Sequence, residues 1–119
     1  MADNDIRIDH GDGVYPPEDF SGIWEVHWPN LHLKYRATLI DGKSQGVVTC
    51  WWDNGVVAQT GYCDVGICKG IWSDYWEDGT KFKETEYQDR DNFVVRWYDS
   101  GGNIKRIERY VDGEETTNN

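Results

Sequence analysis

Between residues 20 and 113, apolar and polar positions repeat on two scales. The short scale is that of a β-strand. Along residues 22–28, Trp24, Val26 and Trp28 fall on one side and Ile23, Glu25 and His27 on the other, since successive strand residues point to opposite faces. The long scale is a row that returns. GIWEVHWPN begins at Gly22, GVVTCWWDNG at Gly46, GIWSDYWEDG at Gly70 and NFVVRWYDSGG at Asn92, at spacings of 24, 24 and 22 residues. In this register Trp28, Trp52, Trp76 and Tyr98 share a column, and the column before it holds His27, Trp51, Tyr75 and Trp97. Ile23, Val47, Ile71 and Phe93 share another, beside Trp24, Val48, Trp72 and Val94.

A turn signal follows each aromatic pair: Pro29-Asn30, Asn54-Gly55, Asp78-Gly79 and Ser100-Gly101-Gly102. Asn-Gly and Asp-Gly supply the positive φ angles that tight hairpin turns need. The returning strands read LHLKYRATLI, VVAQTGYC, TKFKETEY and NIKRIERY, and Asp41-Gly42, Val65-Gly66, Asp89-Arg90 and Asp112-Gly113 close the rows. The pattern therefore predicts an all-β protein. It is an antiparallel meander of about eight strands, built from four tandem hairpin repeats and forming a curved open sheet. Residues 1–19, with Ile6, Ile8, Val14 and Tyr15 among acidic and glycine positions, form an N-terminal extension, either an extra edge strand or a cap. Residues 20–113 make the repeat domain, and residues 114–119 a polar, frayed tail. The face carrying Trp28, Trp52, Trp76 and Tyr98 is the expected core. The opposite apolar face is either wrapped by curvature and the N-terminal segment or open to a partner.

Composition supports strands over helices: 7 Trp, 7 Tyr and 3 Phe stand against 1 Met, with 13 Gly but only 3 Pro in 119 residues. Aromatic residues suit a pleated, half-buried surface, and glycine suits frequent turns. The charge changes the picture more. With 22 acidic and 12 basic residues the net charge is -10, which disfavours direct contact with nucleic acid or an anionic membrane and favours a basic protein partner. No run approaches the roughly 18 apolar residues of a membrane span, and the N-terminal residues lack the apolar core of a signal peptide. The expected compartment is the cytoplasm. Cys50, Cys63 and Cys68 are an odd number of thiols and are read as reduced, with a disulfide between Cys63 and Cys68 open across the Val65-Gly66 turn.

The succession Gly-x-Trp, aromatic pair, turn glycine and tyrosine-ended return strand resembles the MORN repeat, and more closely the variant in the YwqK-type bacterial antitoxin family. Row three carries the resemblance best, in Gly70, Trp72, Tyr75, Trp76, Gly79, Glu84 and Tyr87. It departs where Asn92 replaces the opening glycine, where Arg90 replaces a turn glycine, and in row one, which lacks the glycine after Asn30. The resemblance implies a curved meander that binds another protein, in some members a toxin to be neutralised. Gly22-x-Trp24 ahead of a meander also resembles lipocalin-like and avidin-like barrels, which implies the alternative of a closed barrel binding a small ligand.

No catalytic centre is expected. His10, His27 and His32 have no carboxylate or cysteine at triad spacing, and the spacing in CDVGIC is wider than a zinc or redox hook. No metal and no cofactor are expected either. Asp74, Glu77, Asp78, Glu84, Glu86, Asp89 and Asp91 cluster in row three and read as a patch that steers a basic partner. The expected function is that of an acidic immunity- or antitoxin-type inhibitor of a basic toxin or nucleic-acid enzyme, or a nucleic-acid mimic. The rivals are the small-ligand barrel and a non-inhibitory scaffold. The expected partner-binding residues are Trp51, Asp53, Tyr75, Glu77, Asp78 and Trp97, since buried aromatic anchors commonly dominate interfaces. An unpaired edge strand leaves self-pairing to a homodimer open.

Overall fold

The computed structural model describes residues 16–116, all-β in a single antiparallel sheet. The strands follow chain order: β1 (Gly22–His27), β2 (Leu33–Ile40), β3 (Lys43–Trp51), β4 (Val57–Asp64), β5 (Ile67–Tyr75), β6 (Lys81–Tyr87), β7 (Phe93–Tyr98), β8 (Ile104–Val111) and β9 (Glu114–Glu115). Each pairs only with its neighbours, and β1 and β9 end as opposite edges, so the sheet is open and the closed-barrel alternative is excluded. The ninth strand falls in the stretch read as a frayed tail: Tyr110 pairs with Glu115 and Val111 with Glu114. Ile6, Ile8, His10, Val14 and Tyr15 lie outside the described residues.

The four hairpins are copies of one design. Each tip is closed by two backbone bonds, as where the Trp28 N–H donates to His32 O and the Leu31 N–H to Trp28 O; the same pair recurs from Trp52, Trp76 and Asp99. Beyond each tip the return strand carries one extra residue, a β-bulge at Lys34, Ala58, Phe82 and Lys105. A bulge adds local twist and turns its side chain. Gly22 faces Leu39, Gly46 faces Cys63, Gly70 faces Tyr87 and Phe93 faces Tyr110, so the rows repeat at 24, 24 and 23 residues.

That last interval corrects the sequence register by one residue. Row four aligns from Phe93, not Asn92. Trp97 joins the column of Val26, Cys50 and Asp74; Tyr98 joins His27, Trp51 and Tyr75; Asp99 stands at the tip with Trp28, Trp52 and Trp76. The adjacent pairs Val94-Val95 and Trp97-Tyr98 suit either register. The turn decides, because Gly102 must take the left-handed φ of Gly55 and Gly79, at 86°, 89° and 90°.

One face holds the core. Val26, Tyr35, Ala37, Leu39, Val48, Cys63 and Trp72 are buried there, with Phe20, Trp24, Cys50, Cys68 and Tyr87 against them, whereas Ile23, Val47 and Ile71 on the other face are exposed. The alternation thus identified the core face, but not its centre. Trp28 and Trp52 sit half-buried at the tips and Trp76 is 53% exposed, because strand alternation ends where the turn begins. Residues 16–20 cap the first rows: Pro16 is buried, Phe20 meets Trp24 edge-on at 5.5 Å, and the Gly42 N–H donates to Phe20 O. A Cβ on Gly42 would lie 1.9 Å from Glu18 O, so only glycine admits this cap.

Three row-closing turns have two residues at positive φ: Asp41-Gly42, Val65-Gly66 and Asp112-Gly113. Asp tolerates this conformation, but a β-branched side chain is strained there. Val65, at φ 49° and 60% exposed, contributes little packing in return. Val65→Asn is therefore expected to stabilise the protein by about 1 kcal/mol, or roughly 5 °C for a domain of this size. A thermal melt that shows no gain would remove the strain argument.

Candidate functional site

The tips form one edge of the sheet, and their side chains decide how adjacent rows are tied. Rows one and two are latched to the next row twice. The Trp28 indole N–H donates to Trp51 O at 3.1 Å and the Asn30 amide to Asp53 O at 2.8 Å; one row on, Trp52 donates to Tyr75 O at 3.0 Å and Asn54 to Glu77 O at 2.9 Å. Row three breaks the series. Asp78 stands where Asn30 and Asn54 stood, and a carboxylate has no N–H to donate. The Trp76 indole N–H makes no hydrogen bond among the described residues; its ring stacks on Phe82, the bulge residue of its own row, at 4.0 Å and 21°.

The unlatched junction opens a groove of about 340 Å³ between rows three and four. Trp76, Phe82 and Trp97 line it, with Phe82 and Trp97 centred 6.4 Å apart, and Asp78, Asp99 and Lys105 stand at its rim. Both carboxyls lie below the usual carboxylate range. The Thr80 backbone N–H holds Asp78 down, and the Asn103 N–H holds Asp99 down. Each is fully ionised at neutral pH.

The six residues expected to bind a partner are divided by the structure. Trp51 and Tyr75 lie half-buried on the outer face, and their carbonyls receive the tryptophan latches. Asp53, Glu77 and Asp78 are exposed together along the tip edge. Trp97 is on the opposite face from Trp51 and Tyr75, a consequence of the corrected register, where the Lys83 ammonium sits 5.0 Å above its ring. The groove unites Trp97 with Asp78 and adds Trp76, Phe82, Asp99 and Lys105. The available signal was the Asn-to-Asp change at position 78, coupled to the shorter fourth row.

The acidic residues of row three do not form one patch. Glu84 lies on the outer face, bonded to Lys81 at 3.0 Å, Arg96 at 3.3 Å and the Tyr98 hydroxyl at 3.0 Å, while Glu86 takes the other arm of Arg96 at 2.6 Å. Asp89 caps the connection to β7 through the N–H groups of Asp91 and Asn92. Asp74 is on the core face, where it accepts from Gln59 at 2.8 Å. Glu77 and Asp78 remain exposed at the tip edge, and Asp91 is exposed at the far turn.

Asp74 titrates in the opposite sense to the others. Burial raises its pKa despite the Gln59 bond and the Lys83 charge. A raised carboxyl pKa means that the folded state holds the proton more tightly than the unfolded chain, so ionised Asp74 opposes folding at neutral pH. Asp74→Asn keeps an acceptor for Gln59 and should raise the denaturation midpoint at pH 7, with the gain shrinking towards pH 3. Glu84, Asp78, Asp89 and Asp99 are depressed; their contribution is present above about pH 4 and lost as pH falls through their folded values. The wild-type protein should therefore weaken on acidification while Asp74→Asn loses its advantage. An equal gain at both pH values would refute the assignment.

Burial pushes the Cys50 thiol up to about 11, so it remains protonated at neutral pH. Among the described residues no group of three His, Cys, Asp or Glu side chains is placed to hold a metal ion, and no helix is long and apolar enough to cross a membrane. No family model, curated protein or solved structure matches the chain.

Proposed function

We propose that this protein is a non-catalytic, acidic binding module of the MORN-repeat type, which inhibits a basic toxin or nucleic-acid enzyme by covering its active site with the hairpin-tip edge. The observation that carries this reading is the break in the latch series. Two tryptophans of one column are tied into the sheet, while the third is left exposed on a groove flanked by ionised carboxylates. A large aromatic ring costs free energy when left in water, and such rings recur as the anchors of protein interfaces. Asp53, Glu77, Asp78 and Asp99 along the same edge would steer a positive partner and fix its orientation. The protonated Cys50 and the dispersal of the carboxylates favour binding over catalysis.

The test is capture from the source cells by the intact protein and by Asp53→Lys/Glu77→Lys. Support would be a basic nuclease or toxin retained by the wild type, lost at high salt and in the charge-reversed variant, and inhibited by stoichiometric addition of the protein. A retained protein that is indifferent to salt and charge reversal, or uninhibited when bound, would overturn the proposal.

A further inference from the structure

We infer that the Trp76–Phe82–Trp97 groove is an anchor pocket for an arginine side chain of the partner. This rests on the binding-module reading and adds the chemistry of the contact. The sheet already places its own cations over its tip and strand aromatics. Lys34 lies 4.3 Å above Trp28, Lys83 5.0 Å above Trp97 and Lys81 5.9 Å above Tyr98. Row three puts Phe82 at the bulge where row one has Lys34, so Trp76 is backed by a second ring and receives no cation from the described residues.

The charge at the rim is similarly uneven. Lys105 acts on Asp99, whereas Asp78 has no ion pair among the described residues and is engaged by Thr80 and the backbone of its own turn. A cation that fills this groove must stack on one indole face and present N–H donors to a carboxylate at the mouth. Guanidinium does both, being planar, weakly hydrated and forked. Ammonium has no plane to stack and holds its water more strongly.

Titration of the full-length protein with the blocked peptide acetyl-GRGRGRG-amide, followed by the indole N–H signals in a 15N correlation spectrum, tests the pocket. The arginine peptide should move the Trp76 and Trp97 signals, the lysine counterpart should bind at least about threefold more weakly, and the citrulline counterpart should not bind. Trp76→Ala and Asp78→Asn should each weaken the arginine peptide by about five- to tenfold, on the scale of one cation–π contact or one charge-assisted bond. Unchanged affinity in Trp76→Ala, shifts confined to other indoles, or equal binding of the citrulline peptide would overturn the inference. Capture of the whole partner by Trp76→Ala separates the two proposals. Full retention there removes the arginine pocket and leaves the inhibitor reading standing, whereas loss of salt-sensitive capture by the wild type removes the inhibitor reading itself.

Discussion

Gly61→Ala is expected to cost about 3–5 kcal/mol, the range for losing a buried tryptophan, although alanine is the better strand residue by about 0.5–1 kcal/mol. The reason is contact, not backbone conformation. Gly61 lies in β4 against the Trp72 indole, and a Cβ there would meet three ring atoms at 2.0 to 2.4 Å. Trp72 is 8% exposed, and its indole N–H donates to Tyr62 O at 3.1 Å, so the ring cannot tilt away without breaking that bond and uncovering Cys63 and Val48 in the same cluster. Urea denaturation of Gly61→Ala, Trp72→Ala and the double variant would measure the coupling. If Trp72 is the cause, the glycine substitution should be nearly neutral once the ring is gone. A cost that persists in the Trp72→Ala background would place the effect elsewhere.

The same pair shows what a strand pattern can and cannot reveal. Alternation placed Trp24, Val48 and Trp72 on one face and Ile23, Val47 and Ile71 on the other, and the first set is the core side. That deduction needs only the two-residue period. The need for glycine at position 61 is invisible in the same rows, where the equivalent positions hold Ala37 and Thr85, because it arises from how far one indole reaches across to the next strand. The register of row four escapes the hydrophobic pattern for a related reason. A one-residue slip exchanges the faces of Trp97 and Tyr98, and both are aromatic, so hydrophobicity is blind to the exchange. Only the tip hydrogen bonds and the left-handed Gly102 distinguish the two registers. Nor could sequence proximity locate the charges. Asp74, Asp78, Glu84 and Asp89 lie within one row, yet a hairpin sends them to the core face, the tip, the outer face and the far turn. What the sequence does carry is the substitution of Asp78 for the asparagines of rows one and two, which removes the amide latch that those asparagines make.

Trp52 and Trp76 occupy one column but should respond unequally to truncation. Trp52→Ala removes a half-buried ring and the N–H that ties row two to Tyr75 O, with an expected cost of about 2–3 kcal/mol. Trp28→Ala loses the corresponding latch to Trp51 O and belongs with it. Trp76→Ala gives up an exposed ring with no hydrogen-bond partner among the described residues, and its main loss is the stack on Phe82, worth about 0.5–1.5 kcal/mol. Trp52→Phe isolates the latch from the packing: about 1 kcal/mol should go with the N–H alone, while Trp76→Phe should be close to neutral. Chemical denaturation of the five variants reads this ordering directly. A Trp76→Ala cost equal to that of Trp52→Ala would make Trp76 a third structural tie, and the groove would then have no exposed ring left over for a partner to use. The expected gap of roughly 1–2 kcal/mol means that selection for stability accounts for Trp28 and Trp52 but leaves Trp76 to be explained by what it touches outside this chain.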